Sequence, residues 1–123
     1  MILIDTSVWV DHLRTRDETV LGLLDTGQVL IHPFVIGEIA LGNLPQRRLV
    51  LNMLRLLPQA PVASDSEVLH FIERHKLFGI GIGYVDAHLL AAAQLVGDAS
   101  LWTRDKRLLH TAVRVGLAAT LSH

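Results

Sequence analysis

Four acidic side chains stand in sequence that is otherwise apolar or shaped to start a helix. Asp5 follows Met-Ile-Leu-Ile, Glu38 sits among Phe34, Val35, Ile39 and Leu41, Asp86 precedes Ala-His-Leu-Leu, and Asp105 follows Thr103-Arg104. A carboxylate is costly to bury unless it is paired or binds a cation, so several at the ends or inner faces of apolar elements point to a shared site for a hard divalent ion, Mg2+ or Mn2+. Such an ion lowers the pKa of a bound water and neutralises charge developing on a phosphate, which is what phosphodiester hydrolysis requires. Without it the acids repel one another and at least one tends to keep its proton, so cation affinity should fall at acid pH. Each acid taken alone also fits a plainer role. Asp5 and Asp105 could be helix N-caps, Asp86 could complement a helix dipole in a first turn, and Glu38 could lie one residue off an apolar stripe. Only the set of four points to one site.

The elements that must position these acids alternate between short strands and helices. Ile2 to Asp5 is a brief apolar run that reads as a buried strand feeding a helix from Ser7 to about Arg14. Asp17 to Asp25 forms a second helix stopped by Gly27, and Val29 to Ile31 a second strand. Pro33 suits the first turn of a helix through Leu41, with Gly42-Asn43 as its stop. From Pro45 a helix carrying Leu49, Val50, Met53, Leu54 and Leu57 runs to Pro58, and another follows Ser64, which with Glu67 has the pattern of a capping box. Gly79 to Gly83 is a loop, Val85 to Val96 a helix, Leu101 to Thr103 a strand, and Asp105 opens the last helix. This alternation favours a parallel sheet in a three-layer α/β/α architecture, whose sites lie at the carboxyl ends of the strands. Val115 to Thr120 is a weak candidate for a closing strand.

Composition narrows the possibilities. A chain of 123 residues, half of them apolar, can bury one core, so a single domain over residues 1–123 is expected. Eleven basic and twelve acidic residues give a formal charge of -1, which excludes a protein that coats nucleic acid nonspecifically and makes any such contact local. No cysteine is present, so disulfides, thiolate nucleophiles and Cys-ligated zinc are excluded. The first residues lack the basic and long apolar regions of a secretory signal, and no stretch reaches the roughly 18 uninterrupted apolar residues of a membrane span. A cytoplasmic protein is expected. Mean hydropathy of +0.41 is high for a small domain and suggests apolar surface that a partner covers, whether a second copy or another protein.

Other features carry less. The Gly79, Gly81, Gly83 series lacks both Gly-x-Gly-x-x-Gly spacing and the Gly-Lys-Ser/Thr ending of a phosphate loop. Seven histidines include no His-Glu-x-x-His, and most read as surface or helix positions. Trp9 and Trp102 read as core. Arg14, Arg16, Arg104 and Arg107 stand near the acids in sequence and are candidate phosphate contacts, Arg14 and Arg104 foremost.

Ile-Asp-Thr-Ser-Val-Trp at 4–9, the helix bearing Glu38, Tyr-Val-Asp-Ala at 84–87 and Leu-Trp-Thr-Arg-Asp at 101–105 together resemble the PIN-domain ribonucleases of the VapC toxin type, in order and over nearly the whole chain. The resemblance implies a three-layer α/β fold with a short, mostly parallel central sheet, a metal-dependent endoribonuclease acting on RNA, and a cognate antitoxin of the VapB type that forms a heteromeric complex with a homodimeric toxin. The matching acids are Asp5, Glu38, Asp86 and Asp105, with Thr6 or Ser7 and Thr103 as neighbouring hydroxyls. Asp5 and Asp86 are then the direct metal ligands, Glu38 a ligand or water-orienting group, and Asp105 a ligand for a second or more weakly held ion. Two other readings stand beside it. A haloacid-dehalogenase-like phosphatase also begins with a strand ending in Asp, but needs a second acid two residues on, where this chain has Ser7. A catalytically silent binding module of the same fold is the third.

Overall fold

Ile2–Ile4 (β1) forms the middle of a three-stranded sheet because the run Ile-Leu-Ile can be buried on both faces at once. In the computed structural model, which describes residues 1–121, adjacent Leu3 and Ile4 point to opposite faces and neither is exposed, so both faces are covered. Val29–Leu30 (β2) and Ser100–Trp102 (β3) flank β1, both parallel to it, in the order β2-β1-β3. Leu3 stands opposite Leu30 on one side and Leu101 on the other, and Ile4 opposite Trp102. Asp5 N donates to Trp102 O at 2.9 Å, the last rung of this ladder. The expected α/β architecture with a short parallel sheet is what the chain adopts.

Seven helices connect and cover the strands: Thr6–Arg14 (α1), Glu18–Asp25 (α2), Pro33–Ala40 (α3), Arg47–Leu56 (α4), Asp65–His75 (α5), Tyr84–Val96 (α6) and Lys106–Arg114 (α7). Their starts follow local chemistry. Asp17 caps α2 by accepting from Thr19 N and Val20 N, and the expected Ser64 and Glu67 capping box is formed at α5. Helix α4 begins at Arg47 rather than at Pro45, after Gln46 takes the left-handed conformation with φ 52°. Helix α6 is buried from Ala87 through Ala93, and its alanines let it pack close against β3 and α5. Helix α1 packs on α3, and α3 on α4.

The sheet's edges are short. The closing strand shrinks to one parallel bridge between Leu101 and Ala118, with Leu101 N donating to Leu117 O at 2.7 Å and Ala119 N to Leu101 O at 2.9 Å. Ala118 and Ala119 carry little of the branched surface that holds a strand down. On the other edge Ile31 continues β2 only as a bridge to Gln59. Two of the histidines, His32 at the start of α3 and His88 within α6, are buried. His32 Nδ1 accepts from Phe34 N at 3.0 Å and so caps α3, and His88 packs edge-on against Phe34 and Tyr84. Burial, then the neighbouring His88, lower the His32 pKa to about 4, so it is neutral at physiological pH. Trp9 and Trp102 lie in the core as expected. Among the described residues no helix is long and apolar enough to cross a membrane.

The Leu3→Ala substitution removes a side chain packed on both neighbouring strands and should cost about 2–5 kcal/mol, read from urea unfolding. Leu69→Ala, at a position 57% exposed, should change stability by no more than about 0.5 kcal/mol in the same assay.

Candidate metal centre

Asp5 is the best-anchored of the four acids. It leaves the carboxyl end of β1 only 6% exposed, and its Oδ2 accepts from Ser7 Oγ at 2.7 Å, from Thr103 Oγ1 at 2.7 Å and from Ser7 N at 3.4 Å. Hydrogen bonds to an ionised oxygen are the strong kind, and two hydroxyls at this distance hold the carboxylate in one orientation. The hydroxyls are themselves fixed. Ser7 Oγ accepts from Arg104 N at 3.0 Å, and Thr103 Oγ1 accepts from Asp105 N at 3.1 Å. One knot thus joins the ends of β1 and β3 to the starts of α1 and α7. Asp5 caps α1 as the plainer reading held, and it does so with the same oxygen the hydroxyls bind.

The other three acids arrive from separate elements. Glu38 is exposed on α3, and its Oε1 accepts from Thr6 Oγ1, the first residue of α1, at 2.7 Å. Asp86 lies in the first turn of α6, and its Oδ2 accepts from Gly83 N at 3.1 Å. Asp105 caps α7, its Oδ1 accepting from Leu108 N at 3.0 Å. A common pattern results. Each carboxylate is tied down through one oxygen, and among the described residues no hydrogen bond reaches Asp5 Oδ1, Glu38 Oε2, Asp86 Oδ1 or Asp105 Oδ2. Asp5 Oδ1 and Asp86 Oδ1 are not among the buried polar atoms left without a partner, so both reach solvent, and Glu38 and Asp105 are exposed residues.

The acids feel one another. Asp86 has its pKa raised, first by burial and then by the charges of Asp5, Asp105 and Glu38, with the Gly83 N–H opposing. Three of the four stand at helix N-termini, where the positive end of the macrodipole offsets part of the repulsion. Yet among the described residues no three His, Asp or Glu groups converge tightly enough to form a complete metal cage. A hard divalent cation that keeps several waters needs only one or two carboxylates from the protein. Four anchored carboxylates with open oxygens are the donor set such a hard cation takes.

The two arginines placed foremost in the sequence fare differently. Arg104 is committed: its guanidinium donates to Asp11 Oδ2 at 2.8 Å and Asp17 Oδ2 at 2.6 Å and lies 5.4 Å from the Trp102 ring centre. The ion pairs raise its pKa, and Asp17 is lowered in turn: burial, the largest single effect, raises it, but the hydrogen bonds from Arg104, Val20 N and Thr19 N and the Arg104 charge together outweigh burial. Arg104 therefore ties the α1–α2 turn to the end of β3. Nothing in the spacing of Asp11 and Asp17 announces this, because only the return of the chain at β3 brings Arg104 between them. Arg14 is exposed, free of ion pairs among the described residues, and shares with Glu38 a groove of about 520 Å3 walled by Val10, Leu13, Ile39 and Leu44. A separate groove of about 300 Å3 between α5 and α6 contains none of the four acids.

Residues 2–114 match the PIN domain family. The chain is 49% identical over 118 residues to Ribonuclease VapC32 from two strains of Mycobacterium tuberculosis, covering 96% of this chain and 95% of that protein. Among solved structures, FitAB bound to the IR36 DNA fragment is similar with a TM-score of 0.66 at 19% identity, over 100% of this chain and 99% of that one. FitAcB from Neisseria gonorrhoeae is similar with a TM-score of 0.62 at 21% identity, over 92% and 94%. At these identities the structural likeness speaks to the fold.

Because the folded-state pKa of Asp86 lies above its ordinary 3.8, its contribution to stability is full below that value and is lost as pH rises through the raised one. At neutral pH its ionised carboxylate opposes folding, so Asp86→Asn should raise the melting temperature in chelator at neutral pH, with the gain vanishing towards pH 3. Thr103→Val, which removes one donor from Asp5 Oδ2, should cost about 1–3 kcal/mol in urea unfolding.

Proposed function

This chain belongs to the PIN-domain family, and from that membership we propose that it is a divalent-metal-dependent endoribonuclease, the toxin of a type II toxin–antitoxin pair. The near-half identity to a protein named as a ribonuclease, over almost the full length of both, supports the activity. One observation carries the site: each of four carboxylates from four elements is held by the protein through one oxygen and offers the other to solvent.

Asp5 and Asp86 would hold the cation, Mg2+ or Mn2+, with Asp105 serving a second or more weakly held ion. When bound, the cation supplies an activated water and offsets charge on the phosphate. The chain's own contribution is orientation. Ser7 and Thr103 fix Asp5 through Oδ2, so that Oδ1 keeps one direction. Thr6 fixes Glu38 through Oε1, which leaves Oε2 to accept a hydrogen bond from water and aim it. Such supporting groups matter to metal sites nearly as much as the ligands.

The phosphatase alternative fares poorly on the same geometry. Its nucleophile would be Asp5, but Asp5 is nearly buried, and Ser7, at the position where a second acid is needed, uses its hydroxyl to hold Asp5 still. A silent binding module would have no use for four oriented carboxylates.

The partner is a cognate VapB-type antitoxin, and the toxin assembles as a homodimer within a heteromeric complex in the cytoplasm. The groove that holds Glu38 and Arg14 between apolar walls is where an antitoxin segment can reach the acids.

Purified protein incubated with a mixed RNA pool should cut it with Mn2+ or Mg2+ and not with chelator. Asp5→Asn should abolish cutting, and Ser7→Ala should slow it by about 10–100-fold. Absence of cutting on any RNA by folded, metal-bound wild type would return the protein to the other two readings.

A further inference from the structure

Repulsion creates a need that the four acids cannot meet themselves. A polyanion approaching them must be held by positive charge nearby, and with a net charge of -1 the whole molecule does not supply it. Arg104, adjacent to the acids in sequence, is neutralised by Asp11 and Asp17. Arg14 stands beside Glu38, and among the described residues the larger group of unpaired positive charges lies along α7.

An open groove of about 260 Å3 is lined by Ile80, Lys106, Arg107, His110, Thr111 and Arg114. It contains no acidic residue. Among the described residues neither Lys106 nor Arg107 pairs with a carboxylate, and Arg114 gives one N–H to His75 O at 2.8 Å while keeping its charge. Both walls lead to the site. Lys106 and Arg107 directly follow Asp105, while Ile80 stands in the loop whose Gly83 N binds Asp86.

Arg107 rests on the loop at Gly81. A Cβ at Gly81 would fall 2.7 Å from Arg107 Nη1, 3.1 Å from Cδ and 3.2 Å from Cζ, so the guanidinium lies against the glycine backbone and a side chain there would push the end of the arginine aside. Gly81 also has φ +84°, which L side chains rarely adopt. The loop therefore seats the arginine stem, and its fork carries no protein hydrogen bond among the described residues.

We propose that Arg107, seated on Gly81 and flanked by Lys106 and Arg114, is a positioning residue that holds backbone phosphates of single-stranded RNA beside the scissile one, the strand running along α7 from the acid cluster. The assignment rests on the ribonuclease reading of that cluster. From Arg107 to Arg114 the helix rises about 10 Å, enough to follow a strand past its first phosphates. A planar arginine fork matches phosphate oxygens, and with no Phe, Tyr or Trp lining the groove the contact reads mainly backbone rather than base. RNAs of different sequence should therefore depend on it equally.

The test measures cleavage kinetics with Mn2+ across a salt series, and metal-free binding of a fluorescent single-stranded oligoribonucleotide, for wild type, Arg107→Gln, Arg107→Lys and Gly81→Ala. Arg107→Gln should raise KM several-fold for every RNA sequence, leave kcat unchanged, and shrink the slope of log affinity against log salt by about 0.7. Arg107→Lys should restore the slope, and Gly81→Ala should raise KM as Arg107→Gln does. An unchanged KM and salt slope in Arg107→Gln, with wild type cutting normally, would overturn the assignment while leaving the ribonuclease reading intact. Wild type that binds RNA but never cuts it would instead defeat the ribonuclease reading, and the binding arm would still report on Arg107.

Discussion

Like charges repel, and this fold brings four carboxylates near one another and does not let them turn away. The repulsion contributes at Asp86, whose proton is held more firmly first because the carboxyl is partly buried and then because Asp5, Asp105 and Glu38 are near. Three devices make the arrangement tolerable. Helix N-termini face three of the acids, hydroxyls and amide groups fix one oxygen of each, and the second oxygens open to water. A bound cation would remove the remaining cost, so folding and metal binding are coupled in the same side chains.

The knot at Asp5 makes this arrangement stiff. Its carboxylate draws in Ser7 from α1 and Thr103 from the end of β3, which in turn receive the backbone N–H groups of Arg104 and Asp105. The ion pairs of Arg104 with Asp11 and Asp17 brace the same junction from outside. Asp5 and Asp105 consequently cannot move independently. The α7 groove inherits this rigidity, because Lys106 and Arg107 follow Asp105 into the helix.

Much of this was legible in the sequence, for reasons that differ by element. The short apolar run before Asp5, the Ser64 and Glu67 pair, Pro33 and the glycine stops are local signals, and local chemistry decides strand ends and helix starts. The four acids stood out because each sits where a carboxylate is costly. What was hidden depends on the return of distant chain. Arg104 looked like a phosphate contact until β3 delivered it between Asp11 and Asp17. Arg107 stood among the candidate phosphate contacts behind Arg14 and Arg104, and the loop at Gly81 that lies beneath it was not visible in the sequence. His32 and His88 are buried because Phe34 and Tyr84 surround them, a cluster assembled from two helices far apart in sequence. The closing strand was doubtful in the sequence and survives as a single bridge.

The central claim is that the four carboxylates act as one cation site, and Mn2+ titration followed by calorimetry and by thermal melting tests it most directly. Wild type should bind Mn2+ at neutral pH, gain melting temperature with it, and lose affinity as pH falls through the raised pKa of Asp86, while Asp5→Asn and Asp86→Asn, both folded, lose binding and gain together. Undiminished Mn2+ binding and thermal gain in Asp5→Asn and Asp86→Asn would contradict the account.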